Sequence, residues 1–315
     1  MPLLSADSVY KLKRSLYGLK QAPRAWFDKF CCTLLDFSFT QSQYDASLFL
    51  HKGTTGIVFL LRLQQHLHSV FHMEDLGHLT YFVGLEVHTT QHGIFLNQHK
   101  YIQDLIRLGD LCDSSSVDTP LEINVKYRKD EGDVLPNPTL YRKLVGSLIY
   151  LTITRPNISF AVHTVSKFMD TPCHLHFVAI RRIIHYLIGT SHRGLFFPRG
   201  MPFELKAYSD ADWAGYPDSR RSTTGWCIFL GSALIYWKCK KQNCVSKSST
   251  EAEYRAMSAT CSEVVWLRGL VTELAVSKHS LHLSIIADIF TKSMTHLCHN
   301  FLISKLMLVD SPASI

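Results

Sequence analysis

The chain has 315 residues, of which 46% are hydrophobic and 19% are charged, and this balance excludes wholesale disorder. The length is sufficient for two domains with separate cores, and the net charge of +7 is compatible with a phosphate-rich partner. Nine scattered cysteines without a Cys-x-x-Cys pair argue against a zinc site or a disulfide framework, so we expect reduced thiols in an intracellular protein.

The N-terminal segment is the most basic part of the chain. It lacks the charged and apolar regions of a signal peptide, so we expect no secretion. Pro23 at the start of an apolar pattern predicts a helix over residues 23–36. The longest apolar run, at residues 57–61, is too short to span a bilayer, and we expect no membrane partner.

The middle of the chain predicts hairpins followed by helices. Up to residue 112 the patterns predict a hairpin over 44–61, a helix over 62–70, a hairpin of 79–87 with 93–96, and a helix over 98–108. Beyond residue 112 they predict a polar connector over 113–138 and helices at 139–153, 157–169 and 173–189. The helical periodicity stops at residues 194–202, which we therefore predict as a domain boundary.

The last third predicts three strands and a long helix. In order these are a strand over 203–210, a loop over 211–223, strands over 225–230 and 233–238 joined by a Gly231-Ser232 turn, and a helix over about 250–275. A three-strand meander can return the helix to the side of the first strand. We therefore expect residues near 210 and 253 to approach each other.

Acidic residues mark this predicted junction. Asp210 ends the first strand, Asp212 shares its parity, and Glu253 lies near the start of the helix. Carboxylates packed together raise each other's pKa unless a cation neutralises them, and hydrolases that use two Mg²⁺ ions need several such groups. The pattern therefore suggests a metal-dependent nuclease.

Local structure offers a second explanation for each acid. Ser248-x-x-Glu251 and Thr250-x-x-Glu253 both fit a helix capping box, and either glutamate could serve only that purpose. Asp210 and Asp212 could cap a turn. Only the combination of acids, in this order along the chain, favours the nuclease interpretation.

Long motifs identify the chain as similar to the Pol polyproteins of copia-type retrotransposons. The motifs that resemble the ribonuclease H domain of that family are Tyr208-Ser-Asp-Ala-Asp-Trp-Ala-Gly, Ser222-Thr-Thr-Gly, Trp237-Lys-Cys-Lys-Lys-Gln, Ser248-Ser-Thr-Glu-Ala-Glu-Tyr and Ala287-Asp-Ile-Phe-Thr-Lys. Those that resemble its reverse transcriptase palm and thumb are Leu12-Lys-Arg-Ser-Leu-Tyr-Gly-Leu-Lys-Gln-Ala-Pro-Arg-Ala-Trp-Phe and Asp75-Leu-Gly-His-Leu-Thr-Tyr-Phe-Val-Gly-Leu-Glu.

The resemblance implies a mixed α+β and α/β fold with an incomplete palm, a helical thumb and connection, and a truncated ribonuclease H-like domain. The implied division is reverse transcriptase at 1–112, thumb and connection at 113–200, ribonuclease H at 201–298 and a C-terminal tail at 299–315. It implies Asp210, Glu253 and Asp288 as catalytic ligands of Mg²⁺. It also implies that Tyr17 to Pro23, with Lys20 and Gln21, lie along the nucleotide and template side of the palm. The basic charge of the N-terminal segment adds Lys11, Lys13, Arg14 and Arg24 as candidate contacts to template-primer or an RNA–DNA hybrid.

The chain departs from the family pattern in both halves. The family places paired aspartates after an apolar strand, which residues 57–61 would form, yet no Asp-Asp dipeptide occurs in the sequence. The other palm aspartate should lie upstream of Tyr10. The ribonuclease H acid expected on a strand after the long helix is missing between Leu283 and Ile286, and the loss of one catalytic residue can cost nearly as much as losing all.

Three hypotheses follow. The first is a degenerate copia-type fragment, ancestrally a polymerase and hybrid ribonuclease, that is catalytically inactive. The second is a residual Mg²⁺ ribonuclease H that uses Asp210, Glu253 and Asp288. The third is a non-catalytic nucleic-acid-binding module, in which Trp26 and Phe27 could stack on bases, although ordinary helix packing is the favoured role for both aromatics.

Overall fold

The computed structural model describes residues 20–51, 57–71, 77–112, 114–274 and 285–311. This part of the chain is a mixed α/β structure with eight α-helices and three separate β-sheets. Its contacts form two compact units, one of residues 1–77 with 269–275 and one of residues 78–268 with 276–315. No helix of the described part is long and apolar enough to cross a membrane.

The first unit contains two helices and a short hairpin. Its elements are α1 (Ala22–Asp36), β1 (Thr40–Gln41), β2 (Phe49–Leu50) and α2 (Ile57–Phe71), with β1 and β2 antiparallel. The predicted first helix is confirmed and has proline in its first turn, where the missing N–H costs no hydrogen bond. Trp26 is half exposed but stacks on Phe30 at 5.2 Å between ring centroids, which agrees with helix packing.

The predicted strand over residues 56–61 is wrong where the structure describes it, because α2 begins at Ile57. The apolar strand expected before a polymerase aspartate pair is therefore also wrong. A run of five apolar residues fits a strand or a helix equally well. Here the continuation decides: Leu63, Leu67, Val70 and Phe71 recur at helical spacing and are the less exposed positions of the second half of α2. The predicted 62–70 helix is confirmed as part of it.

The second unit begins with an antiparallel sheet. The strands are β3 (Tyr81–Phe82), β4 (Leu85–Thr89) and β5 (Gly93–Asn97), followed by α3 (His99–Leu108). The predicted hairpin and helix are confirmed, with a turn at Val83-Gly84 that breaks the first strand. Two later strands complete the sheet, in the order β10-β6-β5-β4-β3.

Helices form the largest core of this unit. The three predicted helices are confirmed as α4 (Thr139–Leu151), α5 (Ser159–Ser166, preceded by a 3-10 turn at Pro156–Ile158) and α6 (His174–Gly189). They pack with α3 around side chains that are almost fully buried, among them Leu144, Leu148 and Ile180. In the predicted connector, residues 114–138 contain no helix, yet Leu121 and Tyr127 lie buried in this core. The connector is therefore packed against the helices.

The predicted meander and helix are confirmed. β7 (Leu205–Ala211), β8 (Thr223–Leu230) and β9 (Ala233–Lys241) form an antiparallel sheet in that order, and α7 (Ser249–Glu273) follows. A 3-10 helix (Ile285–Phe290), α8 (His296–Lys305) and β10 (Leu308–Val309) end the described chain. Cys227 and Phe229 pack with Ile289, Phe290 and Leu302 in a second core.

Two segments from the predicted boundary and tail take part in one sheet. β6 (Gly194–Pro198) lies in the segment predicted as a boundary and pairs with β5 on one side. On its other side β6 pairs with β10, which lies in the segment predicted as a tail. Both segments therefore belong to the second unit, and the functional division of the chain at residues 112, 200 and 298 stays a prediction.

Candidate active site

Three elements of the second unit carry the predicted acids. Asp210 is the penultimate residue of β7 and pairs with Gly225 of β8. Glu253 lies in the second turn of α7, and Asp288 lies in the 3-10 helix Ile285–Phe290. The meander brings α7 back to the end of β7, as the element order predicts.

Hydrogen bonds join these elements around the acids. The Glu253 Oε1 atom accepts a hydrogen bond of 3.3 Å from the backbone N–H of Ala211, next to Asp210. The Thr291 hydroxyl donates to the Asp210 carboxylate and lies 3.1 Å from the backbone oxygen of Asp288. Asp210 is therefore linked to the segment that carries Asp288, and its neighbour Ala211 is linked to Glu253.

A lysine belongs to the same cluster. The Lys292 Nζ atom lies 2.9 Å from the Asp288 Oδ2 atom, four residues earlier in the chain. Burial opposes the charge on this ammonium, but the hydrogen bond to Asp288 and the negative charges of Asp210, Asp288 and Glu253 raise the Lys292 pKa overall. Lys292 therefore remains a cation that pairs with Asp288 and is stabilised by the charges of all three carboxylates.

The carboxylates affect each other's ionisation. Burial raises the pKa of Glu253, and the negative charge of Asp210 raises it further. The pKa of Asp288 is also raised, first by burial and then by Asp210, while the hydrogen bond from Lys292 opposes the shift. Like charges held together in partial burial produce this pattern, which a bound cation would reverse.

The cluster has the oxygen ligands that Mg²⁺ prefers but does not have their arrangement. Among the described residues, no group of three His, Cys, Asp or Glu side chains could hold a metal ion. Thr291 engages Asp210 and Lys292 engages Asp288, so two of the three acids already have partners. The arrangement of the described residues therefore does not fit a divalent cation.

Two neighbouring acids have local roles. Glu251 accepts a hydrogen bond of 2.7 Å from the backbone N–H of Lys247, while its own N–H donates to the Ser248 hydroxyl at 3.1 Å. The capping explanation is therefore confirmed for Glu251. Asp212 accepts from the backbone N–H of Thr223, and burial raises its pKa to about 6. This contact spans from the end of β7 to the start of β8, so Asp212 serves to close the loop.

The predicted nucleic-acid-binding residues are described only in part. Lys11, Lys13, Arg14 and Tyr17 lie outside the described residues. Lys20, Gln21 and Arg24 are exposed at the start of α1, which leaves their side chains accessible to a partner. Their role stays a prediction.

Sequence reasoning missed a basic groove between β9 and α7. Its lining includes Lys238, Lys240 and Lys241 of β9 and Arg255 of α7, above Trp226 of β8. Lys238 and Lys240 lie two residues apart, so they share one face of the strand, and they are its exposed positions. That alternation was visible in Trp237-Lys-Cys-Lys-Lys, but the position of α7 beside it was not.

Sequence comparisons agree with the motifs. The reverse transcriptase (RNA-dependent DNA polymerase) family matches residues 4–63. The retrovirus-related Pol polyprotein from transposon RE1 of Arabidopsis thaliana is 41% identical to the chain. The aligned region covers 85% of this chain and 19% of the polyprotein. The corresponding polyprotein from transposon TNT 1-94 of Nicotiana tabacum is 34% identical, over a region that covers 85% of this chain and 22% of the polyprotein.

A shorter relative is covered over most of its length. An uncharacterized mitochondrial protein of Arabidopsis thaliana is 40% identical over 64% of this chain and 83% of its own length. The chain spans about a fifth of the length of the Pol polyproteins that it matches. No solved structure matches it.

Proposed function

Because this chain belongs to the family of copia-type retrotransposon Pol polyproteins, we propose that it is a degenerate fragment whose residues 201–298 form a ribonuclease H-like module without catalytic turnover. Residues 1–112 would derive from the palm and residues 113–200 from the thumb and connection. The ancestral activities would be RNA-directed DNA synthesis and cleavage of RNA in RNA–DNA hybrids. Family membership also brings a general expectation of a divalent metal.

The observation that carries the proposal is the meeting of Asp210, Glu253 and Asp288 from three elements at the end of β7. A capping role explains Glu251, but it does not explain Glu253, whose carboxylate reaches the backbone of Ala211 on another element. The raised pKa values of Glu253 and Asp288 record a crowding of negative charge. Such crowding is typical of a site that evolved to hold cations.

The absence of turnover is supported by the contacts that two of the three acids already make. Two acids are engaged by Thr291 and Lys292, and a two-metal mechanism needs carboxylates free to bridge the ions. The further acid that the family pattern expects is missing from the sequence between Leu283 and Ile286. For the polymerase half, no Asp-Asp dipeptide exists in the chain to bind its metals.

A hybrid-cleavage assay tests this proposal. The full chain is incubated with a labelled RNA–DNA hybrid in Mg²⁺ or Mn²⁺, alongside Asp210→Asn and Glu253→Gln. We expect the same background in all three, because the unsubstituted cluster does not support turnover. Cleavage by the unsubstituted chain that both substitutions abolish would instead establish a residual ribonuclease H and overturn the proposal.

The basic groove favours a second candidate function, which is nucleic-acid binding without cleavage. Lys238 and Lys240 are the exposed positions of β9, and Arg255, which also pairs with Glu251 at 2.8 Å, lines the same groove. Phosphates attract such a group of cations. Binding of this kind weakens steeply as salt concentration rises. The groove, rather than the three acids, would then be the surface that binds nucleic acid.

Salt-dependent hybrid binding tests the second candidate. We expect the paired substitution Lys238→Gln with Lys240→Gln to reduce the slope of log affinity against log salt by about one to two. The matched control is Lys126→Gln with Lys143→Gln, which removes the same charge from exposed positions outside the groove. Equal slopes for the two paired variants would exclude the groove as the binding surface.

A further inference from the structure

We propose that Lys292 supplies the positive charge that balances Asp210, Glu253 and Asp288, the acid cluster. Its ammonium takes the place of a divalent ion and prevents one from binding. This inference deepens the proposed function and rests on it, since it adds a cation beside the acids to the missing acid as a second reason for the absent turnover. It assigns Lys292 a positioning and charge-balancing role. Lys292 is not a catalytic residue in this sense, because it engages the acids and no substrate.

The backbone brings the Lys292 side chain beside that of Asp288. The 3-10 helix Ile285–Phe290 ends just before Thr291, and Lys292 follows Asp288 by four residues, which brings the two side chains to the same face. The backbone N–H groups of Thr291 and Lys292 both point to the Asp288 carbonyl, at 3.1 and 3.3 Å. The turn that holds the ammonium is therefore closed by its own hydrogen bonds.

Burial fixes this turn to the sheet. Ala287, Phe290 and Thr291 are each no more than 1% exposed, and Ile289 is 2% exposed. Phe290 and Ile289 pack with Cys227 and Phe229 of β8 in the second core. Because the turn cannot shift without opening that core, Lys292 is held beside the acids by packing as well as by charge.

Adjacent residues engage different acids. The Thr291 hydroxyl donates to Asp210, while the Lys292 ammonium lies 2.9 Å from Asp288. Lys292 also feels the charges of Asp210 and Glu253 on the two neighbouring elements. A divalent ion would need carboxylate oxygens from several of these acids at once. It could obtain them only by displacing the ammonium and turning the Thr291 hydroxyl away.

Removal of the ammonium should therefore open the cluster to metal. Lys292→Gln removes the cation that the described residues place beside the three carboxylates, and the electrostatic penalty can then be relieved by binding a divalent ion. Lys292→Arg keeps the positive charge and should keep the metal out. We expect Mn²⁺ to bind Lys292→Gln at least about tenfold more tightly than it binds the unsubstituted chain or Lys292→Arg.

Mn²⁺ binding to the full chain, measured by electron paramagnetic resonance titration without nucleic acid, tests the inference. The control is Arg107→Gln, which removes an arginine that makes a 2.9 Å ion pair with Asp104 one helical turn away on α3. We expect this control to bind Mn²⁺ as the unsubstituted chain does. An equal Mn²⁺ affinity in the unsubstituted chain and Lys292→Gln would overturn the inference.

The titration remains decisive if Lys292→Gln does not fold. A site in the unsubstituted chain that binds Mn²⁺ more tightly than about 0.1 mM and is lost in Asp210→Asn would by itself overturn the inference. The hybrid-cleavage assay reports separately on the proposed function. Gain of Mn²⁺ affinity in Lys292→Gln supports the role of Lys292 whether or not that variant cleaves RNA.

Discussion

Gly225 and Phe290 approach so closely that no side chain fits between them. A Cβ atom built on Gly225 would lie 2.5 Å from the Phe290 Cβ atom and 2.9 Å from the Thr291 Cγ2 atom. Gly225 is also the strand partner of Asp210. The same close approach therefore packs the 3-10 helix on the sheet and brings the segment of Asp288 to the first acid.

Gly225→Ala should separate these segments. We expect the free energy of unfolding to fall by about 2 kcal/mol, because an added methyl group in a packed interior forces the backbone apart. Urea unfolding measures this loss. The control is Gly146→Ala on α4, where a Cβ atom would meet nothing within 4 Å and alanine favours the helix. Equal stability of the two variants would show that the 3-10 helix yields without cost.

Arg155 should be intolerant of lysine. Its guanidinium is 0% exposed, and two of its N–H groups donate to the carbonyl and the hydroxyl of Thr190, each at 2.7 Å. An ammonium cannot reproduce this planar fork, so Arg155→Lys should lower the free energy of unfolding by about 3 kcal/mol.

The control for this substitution is Arg142→Lys. Arg142 also donates to two backbone carbonyls, of Met169 and Asp170, but it is exposed, so the expected loss is below about 1 kcal/mol. Urea unfolding of both variants makes the comparison. A loss at Arg155 no larger than that at Arg142 would contradict a structural role for the buried fork.

His299 should make the chain less stable in mild acid. Burial lowers its pKa from 6.5 to about 4, and the positive charges of Arg193 and Arg155 act in the same direction. Between pH 6.5 and 4 the unfolded histidine binds a proton that the folded one does not. Its contribution to stability is therefore complete above pH 6.5 and is lost as the pH falls towards 4.

His299→Gln, which does not titrate, isolates this effect. The free energy of unfolding of the unsubstituted chain should fall between pH 7 and pH 5 by about 1 to 2 kcal/mol more than that of the variant. Urea unfolding at the two pH values measures the difference. Parallel changes in both proteins would mean that His299 can ionise without disturbing its contact with Tyr186, at 3.2 Å.

Asp212 should have the opposite pH dependence. Burial raises its pKa from 3.8 to about 6, so the folded chain binds a proton more readily than the unfolded chain. The buried charge therefore destabilises the fold above pH 6, and this cost disappears as the pH falls towards 3.8. Asp212→Asn removes the charge and keeps an oxygen that accepts from Thr223.

We expect the advantage of Asp212→Asn over the unsubstituted chain to be larger at pH 8 than at pH 4.5, by about 1 kcal/mol, after allowance for the lost attraction to Lys167. Thermal and urea unfolding at both pH values provide the measurement. A variant that is less stable than the unsubstituted chain at pH 8 would show that the attraction to Lys167 outweighs burial.

The local sequence pattern was sufficient to predict an element wherever the hydrophobic periodicity was long and residues typical of element ends bounded it. The helices α1, α3, α4 and α6 and the meander β7–β9 lie within a few residues of their predicted bounds. At residues 57–61 the pattern was too short to separate a strand from a helix, and only the continuation of α2 decides between them. The buried Arg155 had no signal in sequence, because its partner Thr190 is 35 residues away.

The sequence by itself determined the family, the element order and the candidate acids, because long motifs and periodicities are local properties of the chain. Only the tertiary structure decided how those acids are used. It separated Glu253, whose carboxylate reaches another element, from Glu251, which caps its own helix. It also placed Lys292 against Asp288 within a buried turn. Charge balance depends on distances between elements, and distances of that kind are set by packing.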